Sequence, residues 1–128
     1  MINGGYCFGK IKINLKNEIK FFDKLAFKRL YNKTGIQKIY RSSIEQTSLS
    51  LGIEAAKKII KNIKEDIDGL IFVTQSPGNT IPSCGSIIHR ELKLKNNCFV
   101  LDIIQGCSGF PYALSIACNM IKNKEITN

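Results

Sequence analysis

The stretch Leu101-Asp102-Ile103-Ile104-Gln105-Gly106-Cys107-Ser108-Gly109-Phe110 decides the fold that we expect for this chain. An apolar run ends there, a glycine follows, and a cysteine opens a second apolar segment. This order predicts a buried strand, a tight turn and a helix that begins at Cys107. Because the first N–H groups of a helix lack intrahelical partners and its dipole makes that end positive, a thiolate there is stabilised. Cys107 is therefore a candidate nucleophile.

Strands and helices alternate along the rest of the chain. Some segments carry apolar residues at helical spacing, and others are short apolar runs typical of strands buried on both faces. The segment after Cys107 has no charged residue between Asp102 and Lys122, so we expect a buried helix. Short connections imply parallel strands in an α/β layer. The predicted elements are a strand over 2–8, a helix over 21–31 ended by Gly35, a helix over 47–63, a strand over 68–74, a helix over 82–92, a strand over 97–103 and a helix over 107–121.

The composition is that of a basic globular protein. Its 128 residues suit one domain, and 19 Lys and Arg residues against 10 Asp and Glu residues give a net charge of +9. A basic balance can indicate an acidic partner or nucleic acid. The lysines are scattered from Lys10 to Lys28 and beyond, without a nucleic-acid motif, so we interpret them as a compositional bias and expect no nucleic-acid partner. No apolar run reaches the length of a membrane span.

The five cysteines, at positions 7, 84, 98, 107 and 118, include no C-x-x-C pair, so we expect no metal site. The first residues lack the basic and apolar segments of a secretory signal, which predicts a cytoplasmic location and reduced thiols. Most buried cysteines act as small apolar residues, and residue chemistry alone leaves both a structural and a catalytic role open for Cys107. A cysteine protease fits poorly, because no histidine is suitably placed.

Gly106-Cys107-Ser108-Gly109-Phe110, followed by Tyr112-Ala113-Leu114, resembles the nucleophile segment of β-ketoacyl-acyl-carrier-protein synthase III, a condensing enzyme of the thiolase superfamily. Lys33-Thr34-Gly35-Ile36 resembles the family's Thr-Gly-Ile signature. Asp68-Gly69-Leu70-Ile71 and Ile81-Pro82-Ser83 follow in the expected order. The resemblance covers the chain from about residue 30 onward. It implies an α/β fold that is the first half of a thiolase-like fold, with a mostly parallel sheet and a buried nucleophile helix.

The resemblance implies an acyltransferase of fatty-acid-type biosynthesis. In the family, this cysteine takes an acyl group as a thioester and condenses it with decarboxylated malonyl-acyl carrier protein. Cys107 is then the nucleophile, and its backbone N–H helps to hold the thioester oxyanion. Arg29 and Lys33 stand where the family usually has a Trp and an Arg that contact coenzyme A, and Lys33 can meet a phosphate. Ile81 matches a position that lines the acyl pocket of the partner subunit.

The implied substrates are coenzyme A or phosphopantetheine thioesters, with no permanently bound cofactor. Acyl carrier protein and acyl-coenzyme A are the implied partners, and the missing Trp makes the carrier protein a plausible acyl donor. A homodimer is implied for the full-length form. Residues 1–128 correspond to the N-terminal half of the fold, and the family's catalytic His and Asn belong to the absent second half. The chain's one histidine, His89, is expected on a surface helix.

Three hypotheses follow for the function. The first is a truncated synthase III that forms the thioester but lacks groups for the condensation. The second is a non-catalytic half-domain that binds a partner or a carrier protein through an exposed apolar face. The third is another thiolase-superfamily condensation, such as a hydroxymethylglutaryl-type reaction. Phe110 after Ser108-Gly109 favours synthase III over the third.

Overall fold

Helices and strands alternate in the computed structural model, which describes residues 4–17, 23–60, 63 and 66–128. Internal contacts divide the chain into two compact units, unit 1 with residues 1–7 and 47–128 and unit 2 with residues 8–46. The assignment of residues 1–128 to one half-domain stays a prediction. The described elements are β1 (Ile11–Asn14), α1 (Lys24–Thr34), β2 (Lys38–Arg41), α2 (Ser48–Ile59), β3 (Gly69–Thr74), α3 (Cys84–Leu92), β4 (Phe99–Ile104) and α4 (Gly109–Lys122).

The parallel pair β3–β4 forms the centre of unit 1. All six residues of β3 pair in register with the six residues of β4, which confirms the parallel strands predicted from the sequence. Side chains alternate between the two faces of a strand. Leu70 and Phe72 pack with the residues of α2 and α3, whereas Ile71 faces a groove lined by α4. Helices therefore cover both faces of the pair.

The core of unit 1 lies between α2, α3 and the parallel pair. Ile88 is its most deeply buried large side chain, at 2% exposure. The buried cluster is completed by Leu92, Leu94 and Cys98, and α2 contributes partly buried residues that include Leu49, Ile53 and Ala56. The apolar face of α2 that the sequence predicts is thus turned towards α3 and β3.

The start of α3 lies directly against β4. The N–H of Gly85 donates to the carboxylate of Asp102 at 2.8 Å, and a carboxylate is favourable near a helix N-terminus. A β-carbon at residue 85 would lie 2.8 Å from Cγ1 of Val100 and would also overlap the Asp102 carboxylate. Only glycine therefore allows this contact without a shift of the helix or the strand.

Side-chain caps determine where the helices begin. Asp23 accepts from the N–H of Ala26 at 2.9 Å and starts α1 at Lys24, while Phe21 and Phe22 of the predicted helix lie outside the described residues. Thr47 and Ser50 form a capping box at the start of α2. Ser83 caps α3, so the prediction that Pro82 lies in the first helical turn is wrong.

Two predicted helix ends have different outcomes. Gly35 ends α1 in the left-handed region, with φ of 66°, as predicted. The prediction that the next helix extends to Ile63 is wrong, since α2 ends at Ile59. The N–H of Ile63 donates to the carbonyl of Ile60 in a turn instead.

The prediction of a strand over residues 2–8 is wrong for the residues that the structure describes. Residues 4–8 form no strand, and residues 2 and 3 lie outside the described part of the chain. Gly5 passes so close to α2 that a β-carbon there would lie 2.8 Å from the carbonyl oxygen of Ala55. The N-terminal strand is β1 instead, which pairs antiparallel with β2 and places Ile13 opposite Ile39.

Helix α4 is covered on one face only. Gly109 and Ala113 are buried, whereas Phe110 is 70% and Leu114 is 54% exposed. The reason is that β3 and β4 are the elements against which α4 packs. The expectation of a buried helix is therefore met on the side that faces the sheet.

The carboxylate of Asp68 ties three segments of unit 1 together. It accepts from the Lys95 ammonium and from the hydroxyl of Thr127. It also accepts from the backbone N–H of Thr127 at 2.9 Å and of Asn128 at 3.2 Å. Hydrogen bonding from Lys95, followed by that from Thr127, holds the pKa of Asp68 well below its usual range. The Asp68 carboxylate thus joins the start of β3 to the segment that follows α4.

We expect Gly85→Ala to lower the free energy of unfolding by about 1–3 kcal/mol, because overpacking at this contact displaces α3 or β4. Helix propensity alone predicts the opposite sign, since alanine is favoured over glycine by roughly 1 kcal/mol. Urea titration followed by circular dichroism measures the change. Gly78→Ala is the control, because a β-carbon there meets no atom within 4 Å. A stabilised Gly85→Ala variant would contradict the packing argument.

Asp68→Asn should be less stable than the wild type at neutral pH, and the difference should shrink in acid. The folded-state pKa of Asp68 is lowered, so its contribution is complete above the unfolded-state pKa of about 3.9 and is lost as the pH falls below that value. Urea midpoints between pH 3 and pH 7 test this. Asp66→Asn, which removes a charge from an exposed position, should show a smaller difference at pH 7.

Candidate active site

Cys107 lies in the turn between β4 and α4. Ser108 is the N-cap of α4, and Gly109 is its first helical residue, so Cys107 precedes the helix rather than opening it as the sequence predicts. The thiol is exposed. The nucleophile candidate is therefore accessible from solvent at the positive end of a 14-residue helix.

Hydrogen bonds hold the turn on both sides of the cysteine. The N–H of Gln105 donates to the carbonyl of Thr74 at 3.1 Å, which extends the contact between the two strands. The side-chain amide of Gln105 donates to the hydroxyl of Ser108 at 2.9 Å, and the N–H of Gly109 donates to the carbonyl of Gly106 at 2.9 Å. The backbone that carries Cys107 is thus fixed by its neighbours in sequence and by β3.

Gly109 sets the position of the helix start. A β-carbon at this residue would lie 2.6 Å from Cγ1 of Val73 and 3.3 Å from Cβ of Gln105. Only glycine at this position therefore allows the first turn of α4 to approach β3 so closely. Gly106 is also crowded, since a β-carbon there would lie 3.1 Å from Oε1 of Gln75.

The turn lies at the carboxyl edge of the parallel pair. The loop after β3 begins at the same edge, with Gln75 and Ser76, because the strands run in the same direction. Ser48, the first residue of α2, donates its hydroxyl to the carbonyl of Ser76 at 2.9 Å. In open α/β sheets, ligands bind outside the carboxyl ends of the strands. The site of Cys107 is therefore where this fold class places its ligands.

Three polar residues at this edge were not identified from the sequence. Gln75 and Gln105 each directly follow a strand of the parallel pair, and Ser108 receives the hydrogen bond from Gln105. Gln75 and Gln105 could have been identified from their position in the sequence, because the first residue after each parallel strand lies at the same edge of the sheet. We regard them as residues that position the turn.

Ile81 lies in the loop between β3 and α3 and is 92% exposed. This loop is anchored by the fully buried Cys84, whose thiol donates to the carbonyl of Asn79 at 3.6 Å. A fixed loop thus presents an apolar side chain to solvent. This exposure excludes a role for Ile81 in the core of the described chain, while its role in an acyl pocket stays a prediction.

Arg29 and Lys33 lie on α1 in unit 2, and both are exposed. They are four residues apart, so they share one face of the helix. Cys107 and Ile81 belong to unit 1. The contact of Arg29 and Lys33 with coenzyme A stays a prediction.

His89 is not at this edge. Its Nε2 lies 3.0 Å from the carbonyl oxygen of Lys95, which precedes β4. Cys107 follows the other end of β4, and a six-residue strand spans roughly 20 Å. His89 therefore cannot act as the base for Cys107 within unit 1.

The other thiols have different surroundings. Cys84 and Cys98 are buried, and burial raises the pKa of the Cys98 thiol. Cys7 donates to Oε2 of Glu54 at 2.9 Å, and this hydrogen bond raises the pKa of the Cys7 thiol. Cys118 is exposed, like Cys107. It lies near the far end of α4 and is a natural internal control for reactivity at Cys107.

Open space borders the turn. A hollow of about 380 Å³ lined by Ser108, Pro111, Tyr112 and Ser115 lies beside the first turns of α4. Among the described residues, no group of three or more His, Cys, Asp or Glu side chains could hold a metal ion. In the same parts of the chain, none of the helices has the length and apolar character needed to cross a bilayer.

Several curated proteins similar to this chain are β-ketoacyl-[acyl-carrier-protein] synthases III, although no protein-family model matches the chain. β-Ketoacyl-[acyl-carrier-protein] synthase III of Ehrlichia ruminantium (strain Gardel) is 36% identical over 76% of the chain, and the enzyme of the same name from Wolbachia pipientis subsp. Culex pipiens is 37% identical over 94%. The crystal structure of 3-oxoacyl-[acyl-carrier-protein] synthase III from Aquifex aeolicus VF5 superposes with a TM-score of 0.82 over 98% of the chain, at 27% identity. The chain spans only 31–41% of the length of these proteins.

We expect iodoacetamide at neutral pH to modify Cys107 and Cys118 first, because both are exposed. Cys7 should react more slowly, since its pKa is raised, and the buried Cys84 and Cys98 should react only after unfolding. Peptide mass spectrometry over time measures the order, and the same reaction in denaturant is the control. Modification of native Cys84 as fast as Cys107 would contradict the described packing.

Proposed function

Because the chain is homologous to β-ketoacyl-[acyl-carrier-protein] synthase III over most of its length, with a thiolase-like fold, we propose that Cys107 is its acyl-accepting nucleophile. The observation that carries the proposal is the exposed Cys107 thiol in a turn fixed by Gln105, Ser108 and Gly109. A nucleophile needs both access and a fixed position. Of the five cysteines, Cys107 is the one in the turn between β4 and α4, at the carboxyl edge of the parallel pair.

The proposed step is a transfer between two thioesters. The Cys107 thiolate attacks the carbonyl carbon of the donor thioester and forms a new S–C bond. The S–C bond to the donor then breaks, and the donor leaves as a thiol that takes up the proton released by Cys107. The backbone N–H of Cys107 and the positive end of α4 stabilise the oxyanion of the tetrahedral intermediate.

The whole protein would then perform a decarboxylative condensation. Malonyl-acyl carrier protein loses carbon dioxide, its carbanion attacks the acyl carbon, and Cys107 leaves as a thiolate. No histidine of this chain serves that step, since His89 lies at the other end of β4. The acyl transfer is thus the part of the reaction that we assign to these 128 residues. Homodimer formation and an acyl-pocket role for Ile81 belong to the same proposal.

The donor is a coenzyme A or phosphopantetheine thioester, used as substrate and not as a resident cofactor. Arg29 and Lys33 are exposed cations on one face of α1 and suit the phosphates of such a donor. Acyl carrier protein is the alternative donor, because the chain contains no tryptophan to stack on an adenine ring. We propose a cytoplasmic location for this reaction.

One observation supports a second candidate function, a half-domain that binds a partner protein. Beside the buried residues of α4, its apolar side chains Phe110, Leu114 and Ile121 are at least 50% exposed. They line an apolar groove of about 280 Å³ together with Ile71 and Phe99. An exposed apolar surface of this kind marks an interaction site.

Acyl transfer is tested by incubating the chain with acyl-coenzyme A or with acyl-acyl carrier protein. We expect an acyl mass increment on Cys107 that hydroxylamine removes, since thioesters are cleaved by this reagent. Cys107→Ala should reduce the total labelling by at least about tenfold, because the activated nucleophile is lost. Intact-protein and peptide mass spectrometry measure both effects.

Cys118→Ala is the matched control, because it removes an exposed thiol from the same helix. Its labelling should equal that of the wild type. Equal labelling of Cys107 and Cys118, or labelling that persists in Cys107→Ala, would overturn the assignment. Absence of labelling in the wild type, together with stable binding of a partner through α4, would favour the second function.

A further inference from the structure

The positive charge of the chain is concentrated in unit 2. Its 39 residues contain ten of the 19 Lys and Arg residues but only three of the ten Asp and Glu residues. The net charge of unit 2 is thus +7, and the 89 residues of unit 1 carry the remaining +2. An even spread would place about six basic residues in unit 2. A general lysine bias therefore does not explain the distribution.

These cations are directed to solvent. Every Lys and Arg residue of unit 2 that the structure describes is exposed. The two carboxylates of unit 2 that the structure describes have partners already, since Asp23 caps α1 and Glu45 lies 4.0 Å from the Lys10 ammonium. Unit 2 therefore keeps a large net positive potential, which attracts acidic partners and accelerates their association.

The strand pair β1–β2 arranges part of this charge on one face. Lys12 lies opposite Tyr40, and Asn14 lies opposite Lys38. Directly opposed residues share a face, and so do alternate residues of a strand. Lys12 and Lys38 are therefore on the same face, whereas Ile13 and Ile39 are on the other. We call the first of these the ribbon face, defined by Lys12, Asn14, Lys38 and Tyr40.

An aromatic pair adds apolar area to the ribbon face. The ring of Phe8 stacks on that of Tyr40, with centroids 4.4 Å apart and an angle of 16° between the rings. Phe8 is 55% and Tyr40 is 41% exposed. Exposed aromatic side chains are typical of the centres of protein interfaces, and charged residues such as Lys12 and Lys38 are expected at the polar rim around them. Because the rings cover one face of each other, they offer less surface to unstacked bases than free rings do.

We propose that the ribbon face is the docking surface for an acidic protein. The inference rests on the proposed function, under which this partner is the carrier protein that brings the acyl group. Carboxylates of the partner meet Lys12 and Lys38, and an apolar side chain of the partner packs on Phe8 and Tyr40. The ribbon face itself contains neither Cys107 nor the cations of α1.

The test is the binding of purified holo-acyl carrier protein to the full chain at low and high salt. Lys12→Glu combined with Lys38→Glu should weaken binding about tenfold at low salt, and high salt should weaken wild-type binding strongly. The milder pair Lys12→Gln and Lys38→Gln should give an intermediate loss. Circular dichroism verifies that the exposed substitutions leave the fold intact.

Lys57→Glu combined with Lys122→Glu is the matched control. It changes the net charge by the same amount at exposed positions of unit 1, and it should weaken binding less than about twofold. Equal weakening by both pairs would overturn the proposal, as would the absence of carrier binding. Tighter binding of a single-stranded oligothymidine than of the carrier, lost in the ribbon-face variant, would assign the surface to nucleic acid instead.

A further variant separates the docking proposal from the proposed function. Cys107→Ala should bind the carrier as the wild type does. Carrier binding that depends on the ribbon face, without acylation of Cys107, would refute the acyl transfer alone. Acylation of Cys107 from acyl-coenzyme A, with carrier binding unchanged in the ribbon-face variant, would refute the docking alone.

Discussion

The close approach of α4 to β3 is the constraint on which the site depends. Gly109 leaves no room for a β-carbon next to Val73, and the hydrogen bond from Gln105 to Thr74 holds the preceding residues against the same strand. The helix axis and the turn before it are therefore placed by the sheet. Cys107 lies in the exposed part of this connection, so its thiol is both fixed in position and accessible.

The strands at the centre of unit 1 are predictable from the sequence because their evidence is local. Both are short, mainly apolar runs that are followed by a glutamine, and the observed bounds differ from the predicted ones by at most two residues. The end of α2 is not predictable in this way. Ile60 and Ile63 continue the helical spacing, but spacing reports which side chains are apolar and not whether the backbone hydrogen bonds continue. Ser83 was not identified as the cap of α3, because Pro82 is a residue type that often occupies the first position of a helix.

The pairing of strands that are distant in sequence was not predicted. Apolar and polar residues alternate in Ile11–Asn14 but not in Lys38–Arg41, each run has only four residues, and nothing local indicates that the two pair. At the candidate site the motif identifies Cys107 without any structure. The roles of Gln105 and Ser108 needed the hydrogen bond between them. The excess of positive charge in residues 8–46 is recognisable only when the bounds of the two units are known, because the lysines are scattered along the sequence.

The carboxylate of Asp68 has a consequence for the order of folding. Its partner Thr127 lies 59 residues further along the chain, and closing a loop of that length costs about 4 kcal/mol of chain entropy on simple polymer scaling. The hydrogen bonds around this carboxylate can offset this entropy cost only after α3, β4 and α4 have formed and brought Asp68 close to Thr127. We therefore expect the segment after α4 to become ordered after the rest of unit 1, and local opening to begin there and not at the turn that carries the thiol.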